Sequence, residues 1–157
     1  MIELFPESKF LLTLRDGRDI VYSIAFPSVD SKPTRTFPEV DRIAASKGIC
    51  RFEAAIQWWL RYVERYNRVL QEFNERTLLV RYESLVSDFE TIFKNISEFV
   101  SREYQPAHLA LVQGPVSTPF QSSKERWTAE QKDLLRKYPL ALEHLVQFGY
   151  LRAEDDW

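Results

Sequence analysis

The chain has 157 residues, 45% of them hydrophobic, which is material for a single domain with a real core. Its 21 basic and 23 acidic side chains leave a net charge of −2, so the cationic excess that lets a protein hold nucleic acid by phosphate neutralisation is absent. The lone cysteine, Cys50, excludes an internal disulfide, and with only His108 and His144 as histidines the sequence has no zinc-ligand pattern. No apolar run approaches the roughly 20 residues that span a bilayer, and Met1-Ile2-Glu3 opens without the charged and apolar regions of a signal peptide. A soluble, cytoplasmic protein with no metal and no membrane or nucleic-acid partner is the expectation. The four glycines, Gly17, Gly48, Gly114 and Gly149, are too scattered for a glycine-rich phosphate loop.

Along the chain, Lys9-Phe10-Leu11-Leu12-Thr13-Leu14 has the length and composition of a buried strand, predicted over 8–15. Asp16-Gly17 breaks it, and Ile20, Tyr22 and Ile24 then fall at helical spacing from Asp19 to Phe26, before Pro27. Pro27 to Gly48 shows no sustained period and reads as a long loop with one helical turn at Glu39–Ser46. Residues 51–75 carry the clearest periodicity, with Phe52, Ala55, Ile56, Trp59, Val63, Tyr66, Leu70 and Phe73 on one face and alternating charges on the other. Thr77 to Tyr82 is a second buried strand. Ser87 with Glu90 forms the pattern of a capping box for a helix to about residue 101, and a short helix is expected at 106–112. Residues 113–127 are polar and broken by proline. Thr128 with Gln131 is a second capping box, Pro139 interrupts the helix begun there, and Gly149 stands at its left-handed stop. The expected architecture is α/β, one domain over 1–157, with a short parallel sheet of two strands packed by several helices.

The chemistry concentrates where the first strand meets its helix. Arg15 ends the strand on the side of an α/β sheet where ligands bind, next to a helix N-terminus whose N–H groups attract anions. Arg18 and Ser23 add a guanidinium and a hydroxyl nearby, suited to phosphate oxygens. Spacing alone leaves two readings open: Arg15 binds phosphate, or it pairs with Asp16, Asp19 or another acid at the sheet edge.

The segment FPESKFLLTLRDGRDIVYSIAF resembles the 3'-phosphate-binding segment of the sulfotransferases that use 3'-phosphoadenosine 5'-phosphosulfate (PAPS). In that family an arginine ends a strand and a serine follows eight residues later, both on the 3'-phosphate; the matching residues are Arg15 and Ser23. The form Arg15-Asp16-Gly17-Arg18 is similar to the tyrosylprotein and bacterial members. The resemblance continues through TLLVRYESLVSDFETIFKNISEFV and the closing Phe148-Gly149-Tyr150, and it implies that Tyr82 lies against the adenine. The segment before Trp127 resembles the family's nucleotide-closing loop, which makes Ser117, Thr118, Lys124 and Arg126 further cofactor-binding candidates. The resemblance implies a partial P-loop-like fold that binds PAPS and transfers a sulfuryl group to a hydroxyl or amine of a small molecule, carbohydrate or peptide.

The family's 5'-phosphosulfate loop and general base have no counterpart in this sequence, so no catalytic residue is assigned. His108, His144, Cys50 and Trp59 read as packing or surface residues, and Trp58 either packs or faces an acceptor. The chain is accordingly expected to bind the nucleotide without turning it over. Two predicted strands make a marginal sheet, so the chain is expected to be the carboxyl-terminal portion of a longer product, to pair with another chain such as a second copy, or to have reorganised its core around helices. Two alternatives remain open: a non-catalytic nucleotide- or partner-binding relative, and a helical interaction module built on the 51–75 face.

Overall fold

The computed structural model describes residues 6–26, 37–106 and 126–152. Strand β1 is Phe10–Leu14 and is followed by helix α1, Gly17–Ala25. Helix α2 spans Pro38–Lys47, and α3, Arg51–Phe73, is the longest element, continued by a 3-10 turn at Asn74–Arg76. Strand β2 is Thr77–Arg81, α4 is Tyr82–Ser87 and α5 is Phe89–Phe99. Helices α6, Ala129–Arg136, and α7, Pro139–Gln147, complete the described residues. This is an α/β chain, and its two strands pair in parallel from Phe10↔Thr77 to Leu14↔Arg81.

The residues divide into two compact units. Met1–Arg15 with Tyr66–Gln121 form the first, and Asp16–Arg65 with Ser122–Trp157 the second. In the second unit the apolar stripe of α3 (Phe52, Ala55, Ile56, Trp59 and Val63) is fully buried among Val21 and Ile24 of α1, Val40 and Ile43 of α2, and Leu135, Ala141 and Leu145 of α6 and α7. This continuous apolar interior is what holds α1 in place. In the first unit Leu14 and Val80 are buried, Phe10 stacks on Phe73 at 5.1 Å, and the Tyr66 hydroxyl donates to the Thr13 carbonyl at 3.0 Å.

Several local expectations are corrected. Helix α1 begins at Gly17 rather than Asp19, because Asp16 is its N-cap and leaves no separate turn. The region expected to be a loop with one helical turn contains the ten-residue α2, with Pro38 in its first turn and Gly48 stopping it in the left-handed region at φ 62°. The cap of α5 is Asp88, which accepts from the Thr91 N–H at 3.3 Å; Ser87 belongs to α4, and its hydroxyl donates to the Ser84 carbonyl instead. The Thr128 capping box forms in both directions, Thr128 N–H to Gln131 at 3.0 Å and Gln131 N–H to Thr128 at 3.3 Å. Pro139 separates α6 from α7, and Gly149 has φ 66°. The helix expected at 106–112 falls, past Pro106, outside the described residues, as does the polar segment up to residue 125.

Candidate functional site

Parallel pairing fixes what leaves the sheet at its carboxyl end. Because Leu14 and Arg81 are register partners, the next residue of each strand segment, Arg15 and Tyr82, emerges at the same level. Their side chains meet: the Arg15 guanidinium lies over the Tyr82 ring, 5.0 Å from its centroid. Cation–π attraction of this kind is worth about 0.5–1 kcal/mol at an exposed site and more as water is removed. It orients a planar cation on the edge of a parallel sheet where ligands bind. Both residues are half-buried, which leaves part of each accessible.

The first turn of α1 differs from a bare anion-attracting helix end. The Asp16 side chain accepts from the Arg18 N–H at 2.9 Å, and the Asp16 carbonyl accepts from the N–H groups of Asp19 and Ile20 at 3.1 and 3.2 Å. These three donors are already engaged within the first turn. Arg18 is buried and directed back into the fold. Its Nε donates to both Asp16 carboxylate oxygens at 2.9 and 3.2 Å, and its Nη2 donates to Asp16 Oδ2 at 2.7 Å and to the Tyr150 carbonyl at 2.6 Å. Ser23 is exposed two turns along α1, with its hydroxyl donating to the Ile20 carbonyl at 3.0 Å.

Packing beneath this turn is close. A Cβ added at Gly17 would fall inside the indole of Trp59, so glycine is required there for contact rather than for backbone freedom. Trp59 in turn meets the imidazole of His144 edge-on at 5.5 Å, and His144 packs on Phe148 at 4.6 Å. Burial pushes the His144 imidazole down to about 4, so it is neutral at pH 7 and serves as core. Asp16 caps α1 and Trp59 lies against Gly17, two local roles that the sequence analysis does not assign. An aspartate directly before the first helical residue is the available signal for the first; nothing local signals the second.

The remaining candidates are dispersed. Arg126 is exposed, immediately before Trp127, whose ring is buried edge-on against Phe52 at 4.8 Å. Ser117, Thr118, Lys124 and His108 lie outside the described residues. Cys50 is a free, exposed thiol. Trp58 is half-buried between Phe37 at 5.8 Å and Tyr62 at 4.4 Å, and its Nε1–H donates to Glu39 at 3.1 Å. A cavity of about 360 Å³ in the second unit, lined by Phe26, Cys50, Phe52 and Leu134 among others, contains none of the expected site residues. Among the described residues no helix is long and apolar enough to cross a membrane, and no group of three or more His, Cys, Asp or Glu side chains is placed to hold a metal ion.

Comparison with known proteins bears on residues 1–106, which match the family model described as "Sulfotransferase family". Arg15, Arg18, Ser23 and Tyr82 fall inside that match, and Ser117, Thr118, Lys124 and Arg126 fall beyond it. Among solved structures, the "Sulfotransferase Domain from the Curacin Biosynthetic Pathway" is similar over 94% of this chain, with a TM-score of 0.58 and 17% identity. The chain spans 55% of the length of that domain. No curated protein sequence matches the chain.

Proposed function

Because this chain belongs to the sulfotransferase family, we propose that it binds PAPS and its product 3'-phosphoadenosine 5'-phosphate (PAP) through the 3'-phosphate, at the carboxyl end of β1. The observation that carries this reading is the Arg15 guanidinium held over the Tyr82 ring where the two parallel strands end. A guanidinium presents two parallel donors to two phosphate oxygens, and a half-buried tyrosine beside it offers an aromatic face to an adenine. Ser23 supplies a second donor to the phosphate, a role resting on its position eight residues after Arg15. Arg126, Lys124, Ser117 and Thr118 are the further candidates to contact the nucleotide. PAPS supplies the sulfuryl group when bound, and the acceptor is a hydroxyl or amine of a small molecule, carbohydrate or peptide, in a soluble, cytoplasmic setting. This chain's part is to grip the nucleotide and to offset charge on the leaving phosphate.

Calorimetry with PAP and with adenosine 5'-phosphate tests the reading. A single 3'-phosphate held by charge-assisted hydrogen bonds of about 1.5–3 kcal/mol each makes PAP at least tenfold tighter. Equal affinity for the two nucleotides contradicts it. Should the purified chain also release PAP from PAPS in the presence of phenols, sugars or tyrosyl peptides, Glu83 and His108 are the first residues to test as the acceptor's base.

A further inference from the structure

Helix α3 carries a second stripe, turned away from its buried one. Trp58, Tyr62 and Arg65 stand at i, i+4 and i+7, so they line one face, and all three belong to the second unit. Trp58 and Tyr62 approach to 4.4 Å, Tyr62 is 37% exposed, and the Arg65 guanidinium lies over the Tyr62 ring, 5.6 Å from its centroid. Contacts with α2 and the residue before it hold this patch in place. Phe37 meets Trp58 edge-on at 5.8 Å, and Glu39 accepts from Trp58 Nε1 at 3.1 Å and from Arg61 Nη1 at 2.9 Å. Arg61 thus offsets Glu39, whereas among the described residues no acid stands within ion-pair distance of Arg65. Glu64, one residue along, falls on a different side of the helix. The patch is therefore left cationic on a chain whose net charge is −2.

We propose that this face of α3 docks a short acidic segment of a partner protein. Trp, Tyr and Arg are the residue types that carry most of the binding energy at protein interfaces, and here they are neighbours on the outside of one helix. The two rings offer apolar surface to the partner's side chains, while the Arg65 guanidinium donates two parallel hydrogen bonds to a carboxylate. Stacking on Tyr62 already restricts that guanidinium, so less side-chain freedom is lost when the partner arrives. From residue 58 to residue 65 the helix rises about 10 Å, which three or four residues of extended peptide span. Charge complementarity selects the occupant. A nucleic-acid backbone is held by a run of cations, and this patch, with Glu39 set against Arg61, supplies a single uncompensated one.

Fluorescence anisotropy of the full chain with a labelled ten-residue peptide of eight glutamates and two leucines reads the docking. Binding is expected, it weakens as salt is raised, and the same peptide with glutamine for glutamate binds about tenfold less tightly or worse. Arg65→Glu reverses the charge and lowers affinity by about tenfold or more, and Tyr62→Ala by about fivefold. Arg102→Glu makes the same charge change at an exposed position of the first unit and leaves affinity within about twofold of the wild type. Should Tyr62→Ala not fold, Arg65→Glu, at an exposed side chain, decides the question alone. Three results overturn the proposal: a wild type that does not bind the acidic peptide, equal losses from Arg65→Glu and Arg102→Glu, or a ten-nucleotide oligothymidylate that binds as tightly as the peptide and depends on the same residues.

Discussion

The two ends of α3 have the same apolar periodicity and different fates. From Phe52 to Val63 the stripe is buried within the second unit, whereas Tyr66, Leu70 and Phe73, at the same spacing, are half-buried in the first. The difference lies in what surrounds each end. Helices α1, α2, α6 and α7 close over the amino-terminal half, while the first unit has a two-stranded sheet with Leu11 45% exposed, and Val86 on α4 and Val100 just past α5 are exposed too. Periodicity says which face of a helix is apolar; the number of layers available to cover that face sets how much stability it returns. Arg15 and Tyr82 belong to the lightly covered unit and the first turn of α1 to the closed one.

Truncations in the two units sharpen this contrast most strongly. Trp59→Ala removes the indole that fills the space beneath Gly17 and is expected to cost about 3–5 kcal/mol. Leu11→Ala, at a side chain already half in water, is expected to cost about 1 kcal/mol or less. Chemical denaturation of both variants checks this, and equal losses would erase the distinction between a closed core and an open sheet.

A smaller effect is expected from pH, and it belongs to the second unit alone. His144 titrates near 6.5 when unfolded and at about 4 in the fold, because burial disfavours its charged form. The unfolded chain therefore binds the extra proton first as pH falls. The contribution is fully present above pH 6.5 and is lost progressively down to about pH 4, amounting to about 3 kcal/mol. Unfolding free energies between pH 7 and pH 4 should show this decline, and His144→Leu should flatten it. A decline of the same size in the variant would assign it to the carboxylates instead.

Where one element's own residues set its structure, the sequence is readable. Length and apolar composition mark both strands, the long periodicity marks α3, and Thr128, Gln131, Pro139 and Gly149 mark the last two helices. Helix α2 reads as mostly loop although Pro38 and Gly48 bracket it, because its two buried residues, Val40 and Ile43, make too weak a stripe against five polar or charged neighbours. Helix α4 escapes notice because six residues directly after a strand show no period of their own. At the site, Arg15 is a candidate because a strand ends there, while Tyr82 is one only through the family resemblance. Arg18 cannot be placed, because its partner at Tyr150 lies 132 residues away and spacing cannot show that a guanidinium faces inward. The contact of Gly17 with Trp59 is hidden for the same reason.

The central claim is that Arg15 is the principal grip on the 3'-phosphate, and PAP titration of Arg15→Ala by calorimetry tests it most directly. Loss of charge-assisted bonds worth about 1.5–3 kcal/mol each predicts affinity at least tenfold below the wild type. The preference for PAP over adenosine 5'-phosphate should disappear with it. A variant that binds PAP as tightly as the wild type, or that keeps the full preference for the 3'-phosphate, would contradict the account.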